Sequence, residues 1–263
     1  MGVPAPRALP DELAVALSRV APRLGSIGRE VIWYPDVSST SDVAASLAEA
    51  GTGEGLLVIA DMQTAGRGRL GRTWASPPGA GIYASIVFRP SPGTARLLTL
   101  AAGVAIAEGI AAATGLEPEL KWPNDVHCQG RKLAGILAER GADHVVLGFG
   151  VNVLLAMYPP EVRARATSLE LELGRSVDRA LVLAECLAAL AARYGDLNEG
   201  RDGAVMAAWR MRAASMLGRR VEWDVAGASQ RGLAERVDDD GALLVRTESG
   251  LVRVISGEVR WIL

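Results

Sequence analysis

The sequence predicts an α+β fold in which a larger domain of mixed strands and helices is followed by a small all-β module. Over most of the chain, stretches with apolar residues at helical spacing are interspersed with short β-rich apolar runs. Near Leu217 the pattern changes to short strands set close together, separated by Asp-Gly and Ser-Gly turns. We therefore expect one domain over residues 1–215 and a second over residues 216–263.

The helices are predicted from apolar spacing and from the capping residues that precede it. They span residues 11–24, 43–50, 95–114, 178–194 and 204–216. Ser38 to Asp42 offer several N-cap candidates ahead of the second helix. The third contains the most apolar stretch of the chain, which is rich in Ala and Gly and carries Glu108. We expect it to be a buried helix and not a membrane span.

The strands of the first domain are predicted from runs of β-branched and apolar residues. They span residues 31–34, 56–60, 82–88, 132–140 and 145–153. A Gly-Ala-Asp turn joins the last two, which predicts an antiparallel hairpin. Residues 61–81 are dense in Gly, Arg and Pro and are expected to form a loop. In the second domain, strands at residues 220–225, 232–237, 242–246 and 252–256 predict a small SH3-like barrel.

Composition excludes several classes of protein. A chain of 263 residues, 49% of them hydrophobic, can bury a substantial core. The net charge of -2 gives no global basic field for nucleic acid. Cys128 and Cys186 lack the spacing of a zinc site or a disulfide framework, and no apolar leader segment begins the chain. We expect a cytoplasmic protein without membrane association.

The lysines are unusually placed. The chain has 28 basic residues, but its only lysines are Lys121 and Lys132, and both fall within one short segment. A bias toward Arg codons could explain their rarity. Alternatively, this segment requires a compact ammonium where a planar guanidinium would not serve, and we favour that functional interpretation.

Residues 63–74 form the most informative segment, in which three glycines alternate with three arginines. Glycines let the backbone approach a ligand closely, and the arginines concentrate positive charge where the phosphates of ATP could bind. The alternative is a solvated, mobile loop. Gly66, Gly68 and Gly71 also match the dinucleotide-binding pattern, but Pro77 and Pro78 follow where that fold requires a helix. We reject the dinucleotide interpretation.

Five motifs in order resemble biotin protein ligases. They are Ser-Thr at residues 39–40, Gly-Arg-Gly-Arg-Leu-Gly-Arg with Trp at 66–74, Lys-Trp-Pro-Asn-Asp at 121–125, Lys-Leu-Ala-Gly-Ile-Leu at 132–137 and Gly-Phe-Gly-Val-Asn at 148–152. The resemblance extends from Val31 to the C-terminus. It implies a first domain like that of class II aminoacyl-tRNA synthetases, with a mixed sheet flanked by helices. It also implies that ATP and biotin are substrates, that Mg²⁺ is required and that the lysine of a biotin carboxyl carrier protein is the acceptor.

The resemblance also assigns roles at the biotin end. Ser39, Thr40 and Gln63 should hydrogen-bond the ureido ring, although helix capping is an alternative for the first two. Lys132 should bridge the biotin carboxylate and the α-phosphate as a catalytic group. The remaining biotin-binding positions come from the loop and the following strand, and they are Gly66, Arg67, Gly68, Arg69 and Gly135.

At the nucleotide end, Arg67 and Arg69 are also catalytic candidates that should gather around the adenylate. By the same resemblance Arg72 is a candidate to hold the ATP phosphates, and Trp74 should pack on the ligand or in the core. The other ATP-binding candidates are Lys121, Asn124, Asp125 and Asn152. Asp125 could hold Mg²⁺ through water, or it could orient Lys121 or a loop backbone.

Two departures from the family pattern matter. Ser38 and Ser41 stand where the family often has Asp and Asn. About thirty residues precede Val31, too few for the winged helix-turn-helix of some members, so we expect a ligase without DNA binding. A homodimer is possible. The rival interpretations are a lipoate protein ligase and a noncatalytic binding protein built on the same fold.

Overall fold

The computed structural model describes residues 5–225, 228–255, 257 and 259–262. The N-terminal residues 1–4 and Ser256, which ends the last predicted strand, lie outside this range. The helices are α1 (Asp11–Val20), α2 (Thr40–Glu49), α3 (Pro92–Thr114), α4 (Pro160–Arg163), α5 (Leu169–Leu173), α6 (Arg179–Asn198) and α7 (Asp202–Arg212).

The strands of the first part of the chain are β1 (Glu30–Val37), β2 (Leu56–Gln63), β3 (Gly81–Phe88), β4 (Glu119–Lys121), β5 (Asp125–Cys128), β6 (Arg131–Arg140) and β7 (Val145–Asn152). They form one sheet in the order β1-β2-β3-β7-β6-β5-β4. Only β1 and β2 pair in parallel among these described strands. The predicted hairpin is confirmed as β6–β7, and its register sets Gly135 opposite Gly150. The prediction of an α+β fold with a mixed sheet is thus confirmed.

Helices cover the two faces of this sheet unequally. α3 and α6 pack on one face and bury most of the core. α2 packs on the other face, where its apolar residues meet β1, β2 and β3 in a smaller core. The part of that second face formed by β7, β6, β5 and β4 is therefore left open to a ligand.

α3 is the buried helix predicted from composition. By length and apolarity alone it could cross a membrane, but 67% of its most apolar window is buried inside the protein. It packs tightly against α6, because a Cβ at Gly109 would lie 2.8 Å from Sγ of Cys186. The apolar sequence is thus explained by helix–helix packing.

Several elements differ from the predictions. β4 and β5 were not predicted, because strands of 3 and 4 residues interrupted by polar side chains carry little periodic signal. The predicted loop 61–81 was wrong at its start, since β2 continues through Gln63. α4 and α5 were also missed, because 4 or 5 residues are too few to show a helical period.

The last part of the chain forms a separate antiparallel sheet. Its strands are β8 (Arg220–Val225), β9 (Ala228–Val237), β10 (Leu243–Thr247), β11 (Gly250–Val254) and β12 (Val259–Trp261). Their order is β11-β10-β9-β8-β12. Four strands were predicted, and the short β12 was missed. We call this unit the C-terminal module.

The C-terminal module is fastened to the rest of the protein through the turn before β10. The indole nitrogen of Trp122 donates to the carbonyl oxygen of Gly241 at 2.9 Å. Gly241 has φ +85, and a Cβ there would lie 2.8 Å from Cδ1 of Leu100, so glycine is required on both counts. Asp240 pairs with Arg96 of α3 in the same place.

Candidate functional site

A cavity of about 760 Å³ lies on the open face of the large sheet. It is lined by residues of α2, of the loop between β2 and β3, of the strands β4 to β7 and of the C-terminal module. The candidate residues that line it are Ser39, Thr40, Gln63, Arg67, Gly68, Arg69, Arg72, Trp74, Lys121, Asn124, Asp125, Lys132, Gly135 and Asn152. The structure therefore brings together all the predicted site residues except Gly66, and both lysines of the chain are among them.

One end of the cavity is a chain of hydroxyl and amide groups. The hydroxyl of Thr40 donates to Oε1 of Gln63 at 3.0 Å and lies 2.8 Å from Oγ of Ser85. Oγ of Ser41 lies 3.0 Å from Ser85, and Nε2 of Gln63 donates to Ser76 at 2.9 Å. Because the amide oxygen of Gln63 can only accept, Thr40 gives it its proton, Ser85 donates to Thr40, and Ser41 donates to Ser85.

This donor order fixes what the polar end can offer a ligand. The hydroxyl protons of Thr40, Ser41 and Ser85 are all used, so these groups present lone pairs, while Gln63 keeps a second N–H. A ligand with N–H donors for these lone pairs and a carbonyl oxygen for the N–H of Gln63 would match this end of the cavity.

The hydroxyl of Ser39 does not cap helix α2. Ser39 is the N-cap of α2 and is 1% exposed, yet within the described chain its hydroxyl makes no capping hydrogen bond. The amide N–H of Thr40 donates instead to Oε1 of Gln63 at 2.9 Å. The strand β2 thus supplies the acceptor that the helix N-terminus requires, and the capping alternative is wrong for Ser39.

The glycine-arginine loop folds back on itself across the cavity mouth. The amide of Gly68 donates to the carbonyl of Arg72 at 2.7 Å, and that of Trp74 donates to Gly66 at 2.8 Å. A Cβ at Gly66 would lie 2.5 Å from the carbonyl oxygen of Trp74. Gly66 therefore serves the close packing of the loop and does not reach the cavity wall. Leu70, at the tip, is 64% exposed with φ 57.

The arginines of this loop have different environments. Arg67 is held by two carboxylates, Asp42 at 2.9 Å and Glu139 at 2.6 Å, which tie the loop to α2 and β6. Arg69 points inward, and its Nη1 donates to Oδ1 of Asn124 at 3.3 Å. Burial lowers the pKa of Arg69, while the negative charge of Asp125 opposes that effect. Arg69 is therefore the loop cation that the cavity holds most closely.

Trp74 lies flat on two glycines of the cavity floor. A Cβ at Gly150 would lie 2.5 Å from Cε2 of its indole, and a Cβ at Gly135 would lie 2.9 Å from Cζ3. Since Gly135 and Gly150 are partners across β6 and β7, the ring spans both strands. Nζ of Lys132 lies 5.2 Å from the ring centroid, within cation–π range.

Lys132 and Asp125 form the charged centre of the floor. Nζ of Lys132 lies 2.6 Å from Oδ1 of Asp125, and Nε2 of His127 lies 3.9 Å from Oδ2. Burial alone would raise the pKa of Asp125, but His127 and the charge of Lys132 outweigh it and lower the pKa to about 2. Asp125 is therefore a carboxylate at any working pH. It uses one of the three donors of the ammonium and leaves two for a ligand.

Asn124 and Asn152 hold the backbone around this centre. Nδ2 of Asn124 donates to the carbonyl of Ile136 at 2.7 Å, which leaves its oxygen for Arg69. Nδ2 of Asn152 donates to the carbonyl of Thr167 at 3.0 Å. Both amides therefore have structural partners besides any ligand.

A magnesium ion finds few protein ligands here. Among the described residues, no group of three or more His, Cys, Asp or Glu side chains could hold a metal ion. Asp125 is the carboxylate at the cavity centre, and it already pairs with Lys132. The described cavity lining therefore offers a divalent cation one carboxylate, that of Asp125.

Sequence reasoning missed several residues of the cavity wall. Ser41 and Ser85 line the cavity and complete the polar chain, and Ser76 accepts from Gln63 behind that wall. The segment around Arg165 and Ala166 reaches the cavity because Ala166 bridges to Lys132. The C-terminal module adds a further set of residues, namely Gly257, Val259, Arg260 and Trp261.

Comparison with known sequences gives two matched families. The profile of the "Biotin/lipoate A/B protein ligase family" matches residues 33–152, and that of the "Biotin protein ligase C terminal domain" matches residues 216–260. The bifunctional ligase/repressor BirA of Bacillus subtilis is 34% identical over 95% of this chain and 79% of its own length. The biotin--[acetyl-CoA-carboxylase] ligase of Mycobacterium tuberculosis is 38% identical over 84% of this chain and 85% of its own.

Solved structures show the same architecture. The biotin protein ligase from Aquifex aeolicus in complex with biotin and ATP superimposes with a TM-score of 0.76 and 31% identity. The match covers 89% of this chain and 99% of that one. The open-faced sheet and the C-terminal module therefore occur together in a protein that binds these two ligands.

Proposed function

The chain belongs to the biotin/lipoate A/B protein ligase family, and from that premise we propose that it joins biotin to a lysine of an acceptor protein at the expense of ATP. One observation carries the proposal. A single cavity holds a neutral polar end at Thr40 and Gln63, a cationic centre at Lys132, and an arginine-bearing loop across its mouth.

The polar end suits the ureido ring of biotin. That ring has two N–H donors and one carbonyl oxygen, which match the lone pairs of the hydroxyl chain and the remaining N–H of Gln63. The dithiolane ring of lipoate has neither group and would leave these buried polar atoms unpaired. Biotin is therefore the favoured acid.

In the first step, a carboxylate oxygen of biotin attacks the α-phosphorus of ATP. The bond between the α-phosphorus and its bridging oxygen breaks, and diphosphate leaves with the negative charge. Lys132 contributes a fixed positive charge between the two anionic reactants, and Asp125 holds that ammonium in place at 2.6 Å. Arg69 adds a second cation at the cavity mouth. Such preorganised charges act without reorganisation at the moment of reaction.

In the second step, the unprotonated amine of the acceptor lysine attacks the carbonyl carbon of biotinyl-5′-AMP. The carbonyl–oxygen bond to AMP breaks, AMP leaves, and the nitrogen loses its extra proton to solvent. We propose a biotin carboxyl carrier protein as acceptor, which the names of the relatives support. Mg²⁺ would enter with ATP, neutralising phosphate charge, with Asp125 engaged by Lys132 and not as a ligand.

The finer architecture belongs to the same proposal. The strand order of the C-terminal module supports an SH3-like barrel, and the mixed sheet supports the relation to class II aminoacyl-tRNA synthetases. We place the domain boundary between residues 215 and 216, next to the start of the second family match. A cytoplasmic location, absence of DNA binding and a possible homodimer stay predictions from the sequence.

A direct assay separates biotin from lipoate. The protein is incubated with Mg-ATP and either acid, and diphosphate release is measured. We expect release with biotin, and biotinylation of one lysine of an added carrier domain by mass spectrometry. Release with lipoate but not with biotin would contradict the assignment.

A substitution at the polar end should change biotin binding alone. Thr40→Val removes the hydroxyl that links Gln63 to Ser85 and keeps the side-chain volume, so that Ser85 loses its acceptor and Oε1 of Gln63 loses one of its two donors. We expect the KM for biotin to rise about tenfold or more, with the KM for ATP within a factor of about two. Thr40→Ser restores the hydroxyl and should restore most of the affinity. An equal rise in both constants would show that Thr40 does not distinguish the two substrates.

A further inference from the structure

The residues that line the cavity differ in their exposure to solvent. Most of them are buried or half-buried, as groups that enclose a ligand should be. Six of the described ones are exposed and therefore lie where the cavity opens, and we call this set the rim. Its members are Arg67, Leu70, Arg72, Thr73, Arg165 and Arg260. Four of the six are arginines, none is acidic, and Leu70 is the one apolar member.

Leu70 differs by its position from the other exposed apolar side chains. Among the described residues, nine large apolar side chains are exposed, and the other eight do not line the cavity. A single exposed leucine is normal on a protein surface and needs no explanation by itself. What does need an explanation is a leucine that is 64% exposed at the entrance to the site, on a backbone that disfavours it.

The turn at the tip of the loop favours residues other than leucine. Leu70 has φ 57 and ψ 38, Gly71 has φ 72, and the amide of Arg72 donates to the carbonyl of Arg69 at 3.3 Å. Positive φ at both central residues is the mark of a type I′ turn, in which Asn, Asp or Gly usually precedes Gly. Larger side chains are disfavoured there by contacts with the backbone. The reason for a leucine must therefore lie in its side chain.

The tip is tied to the centre of the cavity through the residue before it. Arg69 donates to Oδ1 of Asn124 at 3.3 Å. Asn124 precedes Asp125, whose carboxylate lies 2.6 Å from Nζ of Lys132. Leu70 is thus one residue away from a side chain that reaches toward the reacting groups, while its own side chain is turned to solvent.

An acceptor protein has to come down on the rim in order to react. Its lysine amine must reach the carbonyl carbon of biotinyl-5′-AMP near Lys132, and it has only a four-carbon stem with which to do so. The residues beside that lysine are therefore brought against the rim. An apolar side chain among them would remove surface from water by packing on Leu70, and the arginines of the rim favour a partner face that is acidic.

We propose that Leu70 is a contact for the acceptor protein, and that it packs on an apolar side chain next to the acceptor lysine on an otherwise acidic face. The inference rests on the proposed function, since it takes a protein lysine as the second substrate. Biotin and ATP occupy the cavity below the rim, so Leu70 acts in the second step alone. The two neighbours then have separate tasks, with Arg69 facing the small substrates and Leu70 facing the acceptor.

Leu70→Asn tests the contact without damaging the turn, because Asn is favoured at this position of a type I′ turn. With biotinyl-5′-AMP supplied, we expect the KM for a carrier domain to rise about tenfold, the scale of one lost leucine contact. Diphosphate release from biotin and Mg-ATP should stay within about twofold of wild type. So should the reaction of the enzyme-bound adenylate with hydroxylamine, a small nucleophile that needs no docking. Leu70→Met keeps an apolar surface and should keep the KM for the carrier domain within about twofold.

Met211→Asn is the matched control. Met211 lies in α7, is 68% exposed and does not line the cavity. It should leave the KM for the carrier domain unchanged, so an equal effect of both Asn variants would overturn the inference. An unchanged KM for the carrier domain in Leu70→Asn, or an equal loss in diphosphate release or in the hydroxylamine reaction, would also overturn it. Wild-type protein without biotin-dependent diphosphate release would instead refute the proposed function.

Discussion

Lys132→Ala is expected to reduce formation of biotinyl-5′-AMP by about 10³-fold, the usual scale for removing one preorganised charge that stabilises a transition state. The ammonium is the cation closest to Asp125 at the cavity centre. Without it, that carboxylate would face two anionic substrates unpaired, which adds repulsion to the lost attraction. Because the pKa of Asp125 is about 2, that carboxylate is charged throughout any practical assay range. Lowering the pH toward 4 would therefore not neutralise Asp125.

Two further variants sharpen this experiment. Lys132→Arg keeps the charge but replaces a compact ammonium with a planar guanidinium, and we expect it to remain strongly impaired. Arg140→Ala removes an exposed cation at the far end of the same strand, outside the cavity, and should keep wild-type turnover. Because the Asp125 side chain is 21% exposed and loses its partner, Lys132→Ala should be assayed at a temperature at which it stays folded. Lys132→Ala retaining more than about a tenth of wild-type diphosphate release would refute the proposed role.

Gly150→Ala should strongly disturb the cavity floor. The new Cβ would lie 2.5 Å from Cε2 of Trp74, well inside van der Waals contact. The indole cannot simply slide away, because the backbone amide of Trp74 is bonded to Gly66 at 2.8 Å. The methyl group must therefore displace the glycine-arginine loop or narrow the cavity floor. We expect kcat/KM for biotin to fall about 10²-fold, with a loss of about 1–3 kcal/mol in the free energy of unfolding from overpacking.

Gly195→Ala controls for the Gly-to-Ala exchange itself. Gly195 lies in α6, and a Cβ there would meet no atom within 4 Å. The substitution should leave the kinetic constants unchanged and stabilise the helix by about 0.5–1 kcal/mol. Kinetic constants for Gly150→Ala within about threefold of wild type would show that Trp74 is free to move from the floor.

The sequence predicted those parts of the site that depend on residue type and on the spacing of neighbouring residues. Lys121 and Lys132 stood out by residue type alone, and both line the cavity. The β6–β7 hairpin followed from one short turn between two apolar runs. Glycines at residues 66–71 predicted a loop that comes close to a ligand, and the loop crosses the cavity mouth. These features depend on local sequence, which is why they could be found without a structure.

Other parts of the site depend on contacts between distant segments. Ser85 joins the polar chain through Thr40 and Ser41, 45 and 44 residues away, and its sequence context is that of an ordinary buried strand. Arg67 looked equivalent to Arg69, yet Asp42 and Glu139 hold it away from the centre. Trp261 lines the cavity from β12, a strand of 3 residues. No periodic pattern can reveal such relations.

The bond between Trp122 and Gly241 has a consequence for chimaeric enzymes. Trp122 sits between Lys121 and Pro123 in the cavity wall, and its indole is anchored by a carbonyl of the C-terminal module. Leu97 and Leu100 of α3 close around the same turn. A module taken from a relative would need a glycine at the position of Gly241, with its carbonyl oxygen placed to accept from Trp122. Without that hydrogen bond, the segment that carries Lys121 would be less firmly held. A chimaera should therefore exchange the module together with the residues of α3 and the segment after β4 that contact it. An exchange made only at the proposed boundary between residues 215 and 216 would separate these contacts.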